Sequence, residues 1–214
     1  MIRLLAQNDS EEIPAKTRVK MSGEVAFMSS TTSPASGGLF SQTPGIGGIV
    51  TASKSGFMFL AGRISDLIDP NSRANLTILM ASHTQAFGKF SATVAAESYL
   101  TDKFIEMDLI GPSLALSLKG AVNLDLYCIY GYAFQGDYDN LFTQRAAISK
   151  DYAGFMFKIT GWNVYLGTHR QSLAFEVSTK LSERIRFFVS GNLIHNYDTD
   201  ITQKFGVVRL AYLF

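Results

Sequence analysis

The chain is short of nearly everything by which a soluble enzyme or a nucleic-acid-binding protein is read. It has one cysteine, Cys128, in 214 residues, so no intramolecular disulfide framework can staple it. Leu126 and Tyr130 stand at alternate positions around that thiol, which places it on an apolar face as filler. Five prolines are too few for a proline-rich linker, and no charge block or low-complexity tract divides the chain. Nineteen basic against eighteen acidic residues leave a net charge of +1. A nucleic-acid surface would carry a basic excess, so no nucleic-acid partner is expected. There is no glycine-rich phosphate loop, no Cys/His zinc spacing and no EF-hand loop, and no cofactor or metal is expected. Hydrophobic residues make up 47%, yet no run approaches the roughly 18 apolar residues of a membrane-spanning helix. If such a chain crosses a bilayer it must cross as a closed barrel, because lipid offers backbone amides no partners.

What the chain does have is a period of two. Val19, Met21, Gly23, Val25 and Phe27 alternate with Arg18, Lys20, Ser22 and Glu24. Phe90, Ala92, Val94 and Ala96 alternate with Lys89, Ser91, Thr93 and Glu97, and Ile105, Met107 and Leu109 with Glu106 and Asp108. Val122, Leu124, Leu126, Cys128, Tyr130, Tyr132 and Phe134 oppose Asn123 and Asp125. Leu173, Phe175 and Val177 oppose Glu176, and Ile185, Phe187 and Val189 oppose Arg184, Arg186 and Ser190. A helix would scatter these charges around its whole circumference, whereas a half-buried strand sends them to one side.

Turn signals punctuate the alternation. Thr101-Asp102, Lys119-Gly120-Ala121 and Ser182-Glu183-Arg184 read as tight connections. Residues 29–48, 135–143, 167–170 and 195–203 read as longer polar ones. The resulting strands are 17–30, 48–64, 75–85, 89–100, 103–110, 113–119, 122–134, 144–150, 153–164, 171–181, 184–195 and 204–214. The run 55–64 is apolar on both faces over part of its length, which fits a barrel wall packed inward by Met58 or Phe57. Gly111-Pro112 could be a bulge joining two of the runs into one. Residues 17–214 form one domain in this reading, and residues 1–16 are a signal remnant, with Ala6 as its small final residue, or a flexible N-terminal segment.

The closing run is the most telling. Val208, Leu210, Tyr212 and Phe214 alternate with Val207, Arg209 and Ala211. A final strand that ends on phenylalanine resembles that of bacterial outer-membrane β-barrels of the porin-like superfamily. The resemblance implies an all-β fold, a closed antiparallel up-and-down transmembrane barrel of about twelve strands, in a range of about eight to twelve. It implies the outer membrane of a Gram-negative bacterium, with outer-membrane lipid and lipopolysaccharide as surroundings. It also implies insertion by the barrel-assembly machinery, with Leu210, Tyr212 and Phe214 as the assembly signal. Tyr99, Phe104, Tyr130, Tyr132, Phe134, Tyr212 and Phe214 are the candidate aromatic girdle residues.

With the apolar phase turned to lipid, the lumen is lined by Arg18, Lys20, Glu24, Lys89, Glu97, Glu106, Asp108, Asp125, Lys158, Glu176, Lys180, Arg184, Arg186 and Arg209. Both signs occur in similar number, which suits a narrow water-filled channel with charged rings, giving passive passage to ions or small hydrophilic solutes. The basic group Arg184, Arg186 and Arg209 would favour anions. The alternative is a structural or accessory barrel whose lumen is plugged by charges that pair across it, acting through its loops, above all 29–48, on a protein partner. A third reading places a hydrolase at the outer rim, because His83 follows Ser82 near a strand end, His169 lies in an outer loop, and His195 precedes Asp198 and Asp200. No motif of defined spacing supports it, and no catalytic residue is assigned. The acidic pairs Asp137/Asp139 and Asp198/Asp200 read as ordinary loop residues.

Overall fold

The computed structural model describes residues 19–32, 39–69, 75–101, 108–135 and 140–214. Within them lie fourteen strands. They are β1 (Lys20–Met28), β2 (Thr31–Thr32), β3 (Leu39–Ser41), β4 (Gly45–Lys54), β5 (Phe57–Asp66), β6 (Leu76–Phe87) and β7 (Phe90–Thr101). After these come β8 (Asp108–Leu118), β9 (Asn123–Gln135), β10 (Leu141–Tyr152), β11 (Phe155–Leu166), β12 (Thr168–Lys180), β13 (Ile185–Asn196) and β14 (Ile201–Leu213). Twelve of them close into one antiparallel barrel in the order β1-β14-β13-β12-β11-β10-β9-β8-β7-β6-β5-β4. The remaining two, β2 and β3, pair with each other in the connection from β1 to β4.

The expected fold class is the one observed. The expected twelve strands are also observed, but two of the boundaries differ in ways that offset each other. The run 48–64 is two strands, β4 and β5, because Ser55 (φ 51°) and Gly56 (φ 82°) form a two-residue turn. Positive φ at both central residues is the type I′ geometry whose twist matches a hairpin. The described part of the run 103–110, residues 108–110, and the run 113–119 meet in one strand, β8, whose pairing with β9 keeps the same register at Ile110↔Tyr132 and Ser113↔Ile129 on either side of Gly111-Pro112. Between Ser55 and Pro112 the strand directions therefore run opposite to those the sequence reading assigned. β7 runs to Thr101 and β8 begins at Asp108; Asp102, the second residue of the expected turn, lies outside the described residues, as do 103–107. The short run 144–150 extends to twelve residues in β10.

The two ends of the barrel differ. β1 begins and β14 finishes at one end, where the connections are 55–56, 88–89, 119–122, 153–154 and 181–184. At the opposite end the connections include 29–44, 67–75, 102–107 and 197–200, with Gly167 alone between β11 and β12 as the exception. These are called the turn end and the loop end below. At the loop end, buried Asp66 accepts hydrogen bonds from Thr43 Oγ1 and from the amides of Ile68 and Asp69, both at 2.9 Å.

Side chains alternate across each strand, and residues opposite one another in the register share a face. The exposed large hydrophobics of the barrel strands, among them Phe59, Val94, Leu124, Leu126, Phe175 and Val189, lie on the outer face, with Ile201 at the loop end as the exception. The alternation thus sends greasy residues outward around the whole wall. The inner face is not uniformly polar. Leu60, Leu76, Ile78, Leu109, Ile129 and Val164 form a buried cluster toward the loop end, joined by Met80, Tyr99 and Leu141. Ile129 is 1% exposed, and burying such a side chain is worth about 1.5–3 kcal/mol. Two sequence expectations change here. Leu109 points inward, opposite to the phase read for 103–110, and Tyr99 is a core residue at 5% exposure, not a girdle residue.

Candidate functional site

The inner face divides into an apolar wall, on β5 to β11 toward the loop end, and a polar wall that runs from β11 through β14 to β1. Arg209 anchors the polar wall. Its Nη1 lies 3.4 Å from Glu24 Oε1 across the β1–β14 junction, and its guanidinium carbon stands 3.7 Å from the centroid of Phe188. Ala26 and Ala211 oppose each other in register and pack with Phe188. Two methyl groups at that level leave the room that the ring and the guanidinium fill. A cation over a ring face contributes about 0.5–2 kcal/mol, and at 13% exposure this one is largely withdrawn from water.

Farther round, Lys158 opposes Glu176 on β11 and β12, an opposite-charge pair on one face. Glu176 is 6% exposed. Toward the turn end, Lys180 opposes Arg186 on β12 and β13. Like charges directly opposite destabilise a sheet, so this pair is explained by what it faces and not by packing. Lys20 lies on the inner face at the start of β1, opposite Ser53. Asp125 accepts a hydrogen bond from Ser117 Oγ at 2.6 Å.

A buried carboxyl group lies within the apolar wall at Glu97. Glu97, 4% exposed, accepts hydrogen bonds from Tyr99 Oη at 2.6 Å, from Tyr127 Oη at 2.9 Å and from Ser113 Oγ. Three donors on one buried carboxyl group offset what its burial costs. Tyr127 in turn carries Arg145, whose guanidinium carbon is 4.7 Å from the ring centroid. Arg145 opposes Trp162 in the register, and Arg145 Nε, Trp162 Nε1 and Thr143 Oγ1 are buried without a hydrogen-bond partner among the described residues. Buried donors of this kind ordinarily find water or a solute. Thr143, Arg145, Tyr127 and Trp162 were not among the sequence candidates. Extending the alternation of 144–150 by a few residues would have put Arg145 in phase with Thr143, Ala147 and Ser149.

The other candidates lie elsewhere. Lys89 is exposed in the β6–β7 turn, where its carbonyl accepts the Lys119 amide at 2.8 Å. Arg184 is exposed in the β12–β13 turn and donates to Tyr212 Oη at 3.2 Å. Neither lines the lumen, because each sits in a turn beyond the last inward position of its hairpin. The basic group is therefore Lys180, Arg186 and Arg209. Arg18 and Glu106 fall outside the described residues, as do the side chain of Asp108, residues 1–16, Phe104, the side chain of Phe134, and the Asp137/Asp139 pair.

The three histidines are not gathered. His83 lies on the outer face near the turn end, its ring 4.5 Å from Phe57, because β6 runs opposite to the direction assigned from sequence. His169 and His195 lie near the loop end in an aromatic row on the outer face. Tyr165 stacks on His169 at 4.5 Å, His169 on Tyr197 at 4.6 Å, and His195 meets Tyr197 edge-on at 4.5 Å. Asp198 accepts the His169 amide at 2.7 Å, which ties the β13–β14 loop down onto β12.

No protein-family model and no curated protein matches this chain. Solved structures do. The KdgM porin is 10% identical, with 91% of this chain and 98% of that chain covered at a TM-score of 0.64. The KdgM porin in complex with disordered oligogalacturonate is 9% identical, with 91% and 97% covered at a TM-score of 0.63. The NanC porin is 9% identical, with 91% and 98% covered at a TM-score of 0.60. At such identities the likeness is one of fold: the chain shares the closed antiparallel barrel of these porins.

Proposed function

We propose that the chain is a passive channel in the outer membrane of a Gram-negative bacterium, with the turn end in the periplasm, and that ions or small hydrophilic solutes pass along the polar wall of its lumen. The observation that carries this is the sorting of side chains. Large apolar residues face outward on all sides, while Glu24, Lys158, Glu176, Lys180, Arg186 and Arg209 share one inner wall. Short connections at one end and mostly longer ones at the other fit the periplasmic turns and extracellular loops of such barrels. Four of those six inner residues are cationic, and three of the four stand on adjacent strands toward the turn end. A mild preference for anions follows from rings of that sign.

The test is a planar-bilayer recording of the refolded protein in a salt gradient. Discrete conductance steps are expected, with a reversal potential that moves toward cation preference when Arg186 becomes glutamate. Silent bilayers containing heat-modifiable, inserted protein would reject the channel. That outcome would favour the plugged accessory barrel instead, a reading supported by the apolar cluster from Leu60 to Val164 inside the wall.

A further inference from the structure

On the outer face, one row toward the loop end is out of keeping with a lipid-facing wall. Cys128, Gln144, Asn163, Gln171 and His195 follow one another in register across β9 to β13. On β13 the outward residues below this row run Ile185, Phe187, Val189, Gly191, Leu193. At ordinary strand rise and tilt they cover about 20 Å of the barrel axis, close to the apolar band of an outer-membrane barrel. The amide row thus sits where hydrocarbon gives way to headgroups. It is held in place from within. Asn163 Nδ2 donates to Gln144 Oε1 at 3.2 Å, His169 Nε2 meets Asn163 Oδ1 at 2.8 Å, and Tyr197 Oη donates to Gln171 Oε1 at 2.7 Å. Gln144 and Gln171 are exposed on the outer face, and with each Oε1 taken up as an acceptor their amide nitrogens are left as donors.

Two adjoining depressions lie on this wall. The upper, about 710 Å³, is floored by the small residues Cys128, Ala146 and Gly161 and edged by Gln144, Asn163 and Gln171. The lower, about 620 Å³, lies over Gly191 and Gly206 beside Phe175, which separates them from Ile159 in the register, and the two depressions share Leu173 and Leu193 as a common border. Lys204 lines the lower one. It is exposed on the outer face opposite Leu193, with no carboxylate partner among the described residues, and its stem is long enough to carry the ammonium up to the polar level. The wall therefore offers, from top to bottom, aromatic rings, amide donors, one cation and an apolar slot.

Resting on the outer-membrane reading above, we propose that this face binds a phosphorylated glycolipid of the outer leaflet. The sugar lies against Gln144, Asn163 and Gln171, a phosphate meets Lys204, and an acyl chain occupies the slot over Gly191 and Gly206. A sugar needs neutral donors and acceptors with an aromatic neighbour, and a phosphate needs a cation. In such a lipid the phosphate and the acyl chains are both borne by the sugar, so the phosphate lies at the sugar's level, to which the Lys204 stem can carry its ammonium, and the chains hang below it toward the slot.

The test uses the refolded full chain in zwitterionic detergent, checked for heat-modifiable migration, and native mass spectrometry with three probes: bisphosphorylated lipid A, its dephosphorylated form and phosphatidylglycerol. Retained lipid A adducts are expected, with the dephosphorylated form and phosphatidylglycerol held at least about tenfold more weakly, the scale of one lost charge-assisted contact. Lys204→Gln should reduce retention to the dephosphorylated level. Gly191→Leu should abolish it while leaving the fold intact, because a Cβ there meets nothing within 4 Å and the side chain would project into the slot. Val50→Leu, outward on the opposite wall, should change nothing. Adducts indifferent to Lys204→Gln and Gly191→Leu, equal retention of phosphatidylglycerol, or dimers abolished by Gly191→Leu would each overturn the site. A heat-modifiable barrel that holds no lipid A overturns the site alone, whereas a chain that gives no heat-modifiable barrel overturns the membrane reading with it.

Discussion

Phe214 and Gly23 illustrate how much a single position can decide. They exchange backbone hydrogen bonds, Gly23 N to Phe214 O at 2.9 Å and Phe214 N to Gly23 O at 3.0 Å, and a Cβ on Gly23 would overlap the Phe214 ring. The ring lies over the glycine on the outer face, an arrangement known to rescue glycines within sheets. Gly23→Ala should therefore displace the ring and lower the folded, heat-modifiable fraction on refolding. Adding Phe214→Ala to the same chain should restore part of it. If the single variant folds as well as the parent, the ring does not need the space. Phe214 was legible in the sequence as the end of an alternating run. The need for glycine at position 23 was not, because nothing local to Gly23 marks it and its neighbour lies at the other end of the chain. The three histidines carry the same lesson. His169 and His195 share a row because β12 and β13 pair, and His83 is far from both because β6 runs the other way.

Strand β8 shows what an element can hide. Its proline removes a ladder donor and its glycine lets two backbones approach, since a Cβ on Gly111 would overlap the Tyr130 carbonyl on β9. From sequence the pair reads as a break, yet the strand passes through it without losing register. Gly111→Ala is expected to force β8 and β9 apart there and to cost more than about 3 kcal/mol, beyond the usual range of single substitutions. Urea unfolding in lipid vesicles measures it, and a loss under about 1 kcal/mol would contradict the close approach. The hairpin at Ser55-Gly56 is the converse case. Ser53-Lys54-Ser55-Gly56 carries a turn signal, but the run that follows it is apolar on both faces, so no change of phase marks where one strand ends and the next begins. Alternation was legible wherever one face is polar, and it failed where the inner face is itself apolar, as at Met58, Leu60 and Leu109.

For the molecule as a whole, the separation of outside from inside was the part most fully legible. Lipid-facing strands must be apolar on one face whatever the solute, so the period of two survives even where the lumen varies. Neighbouring positions on β13 allow a direct test. Val189 is exposed on the outer face, and Ser190, opposite Glu176, faces inward. Val189→Lys should destabilise the barrel in vesicles by about 2–4 kcal/mol, the cost of a cation at mid-bilayer depth, while Ser190→Lys should cost much less. Equal losses would mean that the two faces meet the same medium. The lumen was read less well, because a charge in a turn, such as Lys89 or Arg184, has the same parity as one inside. Its apolar cluster also had no sequence signature distinct from the outer wall.

The junction of β1 with β14 pairs Glu24–Met28 with Arg209–Leu213, five register pairs, extended at its ends by the backbone hydrogen bonds of Gly23 with Phe214 and of Ser29 with Val208, against twelve register pairs between β13 and β14. Its partners come from the two extremes of the chain, so closing it costs the entropy of the longest loop the molecule can form. On that ground it is expected to be the last contact made in folding and the first to part. A sheet of twelve strands with two free edges must precede the finished cylinder, and the rate at which those edges meet sets how long the chain stands open to aggregation.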